Sequence, residues 1–116
     1  MHEMGIAMQI VEISTSSIPR DLENPRVKSI HLKIGRLTAI VPDSLRFCFE
    51  IAARDTPFSS ALLDIEEIPA VARCRSCLYE WRAEEIIFAC DKCQSRNIEI
   101  VSGRELDIVS IEVDTD

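Results

Sequence analysis

The sequence predicts an α+β fold, two helices packed on a small mixed three-stranded sheet with a four-cysteine zinc ribbon inserted before the last strand. Three observations predict it. Two segments carry apolar residues at helical spacing. Three others carry them at alternating positions or in short apolar runs. Between the second and third of these lie two Cys-x2-Cys pairs.

Residues 4 to 17 read as the first helix, with Ile6, Ile10 and Ile13 at helical spacing and Ala7 and Val11 on the adjoining edge. The stretch from Ser14 to Ser17, with Pro19, ends it. Residues 26 to 36 alternate, with Ile30, Leu32 and Ile34 on one face and Ser29, His31 and Lys33 on the other, and Gly35 closes this strand. The second helix starts at Pro42, a residue suited to the first helical turn, and Asp43 complements its dipole. Leu45, Cys48, Phe49 and Ala52 form its buried stripe, so Cys48 reads as a small core residue. Residues 61 to 68 alternate again, with Leu63, Ile65 and Glu67 on the inner side. The closing strand carries Leu106, Ile108, Val109, Ile111 and Val113, and its parity slips between 107 and 110, which fits a bulge or a two-faced buried strand. The insert begins where one strand ends and finishes where another begins. The predicted domains are therefore a discontinuous one of residues 1 to 72 and 99 to 116, and an insert of residues 73 to 98.

The chain has 116 residues, 47% of them hydrophobic, enough for a packed core. Its net charge of -7 makes it a poor nucleic-acid binder, which needs clustered Lys and Arg. No apolar run approaches the roughly 20 residues of a membrane helix. No basic leader followed by an apolar stretch stands at the start, so the expected mature chain begins Met1-His2-Glu3. Five cysteines, four in metal-type spacing, point to a reducing, cytoplasmic setting rather than a disulfide framework.

Cys74, Cys77, Cys90 and Cys93 are spaced to place two thiolates from each of two tight turns at the corners of a tetrahedron. Tyr79, Trp81 and Phe88 on the spacer supply a miniature core. Four thiolates leave no position for substrate water, so the expected Zn(II) is structural. The ribbon carries five basic residues (Arg73, Arg75, Arg82, Lys92, Arg96) and five acidic ones (Glu80, Glu84, Glu85, Asp91, Glu99), so it offers no basic stripe. No nucleophile paired with a base, phosphate loop or open catalytic metal site is evident, and the expectation is a protein that is not an enzyme.

At the other end, His2 sets an imidazole beside the Met1 amine. Imidazole Nδ1, the His2 backbone nitrogen and the amine can close adjoining six- and five-membered chelate rings on one metal. Glu3 can add a backbone nitrogen or its carboxylate. Such nitrogen-rich square-planar ligation suits Ni(II) or Cu(II) over zinc. A terminal histidine with no ligand role is the alternative. His31 is expected to be solvated or hydrogen-bonded.

Met1-His2-Glu3, Ile34-Gly35-Arg36-Leu37, Pro42-Asp43-Ser44-Leu45, Phe47-Cys48-Phe49, Ile65-Glu66-Glu67-Ile68-Pro69, the two cysteine pairs, Gly103-Arg104-Glu105-Leu106 and Ser110-Ile111-Glu112-Val113 run from end to end. On these the chain resembles the HypA/HybF family, nickel metallochaperones of NiFe-hydrogenase maturation. The resemblance implies a nickel domain of two helices on a small sheet, with the zinc domain inserted. It implies a chaperone that carries Ni(II) at Met1, His2 and Glu3 and holds Zn(II) at Cys74, Cys77, Cys90 and Cys93. It implies a HypB-type nickel GTPase and the hydrogenase large subunit as partners, with urease as another possible target. The acidic charge and the lack of a long apolar run argue against nucleic-acid and membrane partners, and the sequence leaves monomer and homodimer both open. Gly5 and Asp91 depart from the residues usual in the family, where Ser and Pro are common, but neither is a proposed ligand. A zinc-ribbon adaptor for protein or nucleic acid is the rival reading.

Overall fold

The computed structural model describes residues 2 to 83 and 89 to 114. Helix α1 spans Glu3–Ser16 and strand β1 spans Arg26–Gly35. A single 3-10 turn, Arg36–Thr38, leads to helix α2, Pro42–Ala52, with proline in its first turn as expected. Strand β2 follows at Leu62–Ile68. The cysteine region contributes β3, Val71–Cys74, β4, Glu80–Arg82, and β5, Ile98–Ser102. Strand β6, Leu106–Asp114, closes the chain.

Among the described residues two three-stranded sheets result, in the orders β2-β1-β6 and β4-β3-β5. In the first, β1 is central, parallel to β2 and antiparallel to β6. Its register explains the core. Ile30 lies opposite Leu63 and Ile111, and Leu32 opposite Ile65 and Ile108, so the apolar faces of all three strands align. The two helices cover that face, contributing Ala7, Ile10, Leu45 and Phe49 to a cluster with Val27, Ile30, Leu32, Ile34 and Phe58. Of the two readings of the parity slip in β6, the register gives the bulge. His31 pairs with Ser110 and Leu32 with Ile108, which leaves Val109 as the extra residue.

Three side chains depart from the periodicity. Ile13 is 56% exposed, while Ala7, Ile10 and Ser14 are the buried positions of α1. This helix is apolar on most sides, so its spacing does not select a face. Ser14 is fully buried in the last turn, and its hydroxyl has no hydrogen-bond partner among the described residues. Glu67 is exposed rather than inward, because β2 is an edge strand with room for a long polar chain to turn outward.

The second sheet extends from Val71 to Ser102. It includes residues 71 and 72 and residues 99 to 102, which the sequence reading placed with the first sheet. The sheets meet at two glycines. The Gly35 N–H donates to Glu105 O and the Leu37 N–H to Gly103 O, each at 2.8 Å. A Cβ on Gly35 would fall on the Gly103 carbonyl. Gly103 has φ +117°, and a Cβ there would lie 2.8 Å from Ala70 Cα. Only glycine satisfies both close approaches. The Glu105 carboxylate closes the turn by accepting from the Gly103 N–H at 2.7 Å.

Candidate metal centre

The two cysteine pairs are built as two copies of one turn. The Leu78 N–H donates to Cys74 O at 2.8 Å, and the Gln94 N–H to Cys90 O at 2.9 Å. Leu78 and Gln94 both take left-handed backbone conformations, with φ of 66° and 63°. Each pair is then drawn closed by its first cysteine, the Cys74 N–H donating to Tyr79 O and the Cys90 N–H to Ser95 O, both at 2.9 Å. The Ser76 and Ser95 hydroxyls meet at 2.9 Å and link the two turns.

This arrangement converges the four thiols of Cys74, Cys77, Cys90 and Cys93 within 4.8 Å of one another. The Sγ atoms of Cys74 and Cys93 lie 3.5 Å apart, and those of Cys77 and Cys90 3.6 Å. A tetrahedral zinc with bonds of about 2.3 Å sets its sulfurs about 3.8 Å apart, so the residues fit such an ion. Cys74 and Cys90 are buried, and Cys77 and Cys93 are exposed. Cys48, the fifth cysteine, lies apart, partly buried against the first core.

The thiol electrostatics agree. Burial raises Cys74, but the backbone N–H groups of Cys77 and Ser76 and the Cys93 and Cys77 thiols outweigh it, leaving the pKa at about 6. The Ser95 N–H lowers Cys93, but the Cys74 thiol, burial and the other two thiols push it up to about 12. One thiolate forms readily and the last is strongly opposed, as expected where four sulfurs crowd together without a cation. A bound divalent metal relieves that repulsion.

Around this centre, Tyr79 and Trp81 stack with ring centroids 5.6 Å apart, and the Lys92 ammonium lies 4.6 Å from the Tyr79 ring centroid. Both rings are half-buried, in keeping with the packing role expected for them. Phe88, Glu84 and Glu85 lie outside the described residues. Arg73 is held between Glu80 and Glu99, and Arg75 also pairs with Glu99. Two of the ribbon's five basic residues are thereby neutralised locally.

The N-terminal residues lie on the first sheet's helical layer. Met1 is outside the described residues. His2 is the N-cap of α1, its carbonyl accepting from the Ile6 N–H at 3.2 Å. Its side chain is exposed and makes no capping hydrogen bond among the described residues. Glu3 opens the helix, and its Oε2 accepts from the Val41 N–H at 3.3 Å. That bond, with its own N–H, holds the Glu3 carboxyl below its ordinary pKa. The structure therefore brings Val41, the N-cap of α2, to the same place. The sequence reading missed Val41, and an apolar residue's backbone N–H leaves no signal in sequence. His31, as expected, is hydrogen-bonded, its Nδ1 lying 2.8 Å from Asp64 Oδ2.

Residues 1–113 match the family model described as "Hydrogenase/urease nickel incorporation, metallochaperone, hypA". The hydrogenase maturation factor HypA of Desulfosudis oleivorans is 56% identical over 113 residues, covering 97% of this chain and 98% of that protein. Its counterpart in Desulfatibacillum aliphaticivorans is 57% identical, over 97% of this chain and 87% of that one. The fold resembles the solution structure of the Ni metallochaperone HypA from Helicobacter pylori, with TM-score 0.67 and 20% identity over the whole of both chains. A second solution structure of a HypA protein matches with TM-score 0.71, also at 20% identity, over 99% of this chain and 98% of that one.

Proposed function

The chain belongs to the HypA family of metallochaperones for hydrogenase and urease nickel incorporation, and from that membership we propose that it carries Ni(II) at its N-terminus. In this reading the Met1 amine, the His2 backbone nitrogen and His2 Nδ1 hold the ion, and Glu3 stands beside them. The observation that carries the reading is His2 itself. It occupies the cap of α1, yet its imidazole is exposed and makes no capping bond among the described residues. Capping side chains normally bond the helix's free N–H groups. This one is left available.

Nickel is cargo here, and an exposed site at a chain end releases it one ligand at a time. The cargo passes, with a HypB-type GTPase, to the NiFe-hydrogenase large subunit. Four cysteines hold a structural Zn(II), with no position open for exchange. The proposal includes a discontinuous nickel-binding domain that carries the first sheet, a zinc insert that carries the second sheet from Val71 to Ser102, a cytoplasmic setting and no catalysis. Protons compete for the amine and the imidazole, so nickel affinity falls in acid. Calorimetric nickel titration of protein with a native start, of His2→Ala and of an N-terminally extended form tests this. Both altered forms are expected to lose tight binding. Undiminished binding in both overturns the reading.

A further inference from the structure

Strand β6 is nine residues long and lies at the edge of the first sheet, paired with β1 alone among the described residues. An edge this long presents a row of backbone N–H and C=O groups to any extended chain. Its two faces differ. Leu106, Ile108, Ile111 and Val113 lie opposite Ile34, Leu32, Ile30 and Val27, on the side the helices cover. Asp107, Ser110, Glu112 and Asp114 lie opposite Lys33, His31, Ser29 and Arg26, on the open side. None of these three acids is in an ion pair among the described residues. Beside the strand is an apolar slot of about 100 Å³, lined by Ile6, Ile10 and Ile13 of α1 and by Leu106 and Ile108 of β6. Ile13 and Leu106 stand 56% and 43% exposed at it.

Charge and the Val109 bulge are ordinary means of guarding an edge. They do not account for an apolar slot left open next to it. We propose that β6 is a docking edge for an extended segment of another protein, added as a fourth strand. Its residues facing α1 are apolar, and one fills the slot. Its alternate residues, on the open side, are Lys or Arg and meet Asp107, Glu112 and Asp114. A second copy of this chain is a poor occupant. Pairing β6 with itself would gather the acids of both copies near one another with no base on either strand, and like charges across strands repel.

The probe is a fluorescent nine-residue peptide alternating Val and Lys, added to the full chain. A Val and Glu peptide is the control. Anisotropy measures affinity, and amide shifts with hydrogen exchange locate the site. The Lys peptide is expected to protect amides of β6 and to bind at least tenfold tighter than the Glu peptide. Ile13→Glu, at an exposed site, is expected to weaken it at least tenfold. So is Asp107→Lys with Glu112→Lys, which should also improve binding of the Glu peptide. His2→Ala should bind the Lys peptide unchanged, because the edge does not depend on the nickel reading. Shifts located elsewhere, equal binding of both peptides, or loss of binding in His2→Ala would overturn the proposal. So would concentration-dependent protection of β6 without peptide, which would assign the edge to a second copy.

Discussion

The Val41 N–H donates to the Glu3 carboxylate at 3.3 Å, which ties the first turn of α1 to the N-terminal end of α2 across 38 positions of sequence. The bond holds the Glu3 carboxyl below its ordinary pKa of 4.5. A lowered folded-state pKa means that the ionised form favours the native state. That contribution is present above the unfolded value and is lost as pH falls through the lower folded one. A carboxyl carbon titration by NMR should place the Glu3 midpoint below 4.5, with the Val41 amide shift following the same curve. In Glu3→Gln the Val41 shift should stop titrating there. An ordinary midpoint for Glu3 would remove the tether.

The junction of the two sheets should tolerate no side chain at Gly35. A Cβ would fall on the Gly103 carbonyl, which is backbone and has nowhere to go. Gly35→Ala is expected to cost on the order of 3 kcal/mol in urea unfolding, or to prevent folding. Gly103→Ala combines a positive φ with the close Ala70 backbone. Its expected cost is also above about 1 kcal/mol. Near-wild-type stability of either variant would show that the sheets meet differently.

Ser14→Ala should stabilise the protein. The buried hydroxyl lacks a partner among the described residues. Such a group costs about 1–3 kcal/mol, and alanine is also the better helix former. A gain of roughly 1 kcal/mol at the urea midpoint is expected. A loss would mean that the hydroxyl is bonded, for instance to an internal water.

Removing metal should act on the second sheet first. It is small, and Cys74 is itself part of β3, so chelation should change Trp81 fluorescence while first-sheet amides stay protected from exchange. Simultaneous loss of both sheets would contradict this. In the metal-free protein, thiolate absorbance should begin near pH 6 with Cys74 and finish near pH 12 with Cys93. Cys74 is lowered, so its stabilising contribution is lost as pH falls through about 6. Cys93 is raised, so its protonated form favours the native state, and that contribution is lost as pH rises toward about 12. Zinc should abolish both steps by holding all four thiolates ionised.

Local chemistry wrote much of this protein plainly. The spacing of Cys74, Cys77, Cys90 and Cys93 foretold the thiol cluster, since two turns of that length bring four sulfurs together with little help from the rest of the chain. Pro42 marked a helix start, because its fixed φ and missing N–H suit the first turn. Alternation revealed β1, and the parity slip marked the stretch where the register then places the Val109 bulge. Position relative to a distant partner was not legible. Helix α1 is apolar around most of its surface, so only packing against α2 and the sheet decided that Ala7 is buried and Ile13 is not. The run Ile98, Ile100, Val101 suits a strand of either sheet, and pairing with β3 decided for the second. Leu78 and Gln94 take left-handed conformations that nothing in their side chains requires; closure of the cysteine turns imposes them. The bond from Val41 to Glu3 and the contact of Gly35 with Gly103 use backbone atoms, which every sequence supplies alike. The sequence by itself determined the two helices, the strands of the first sheet and the clustering of the four cysteines, because those follow from neighbouring side chains. Only the tertiary structure decided which backbones meet, because that depends on how two sheets and two helices close on one another.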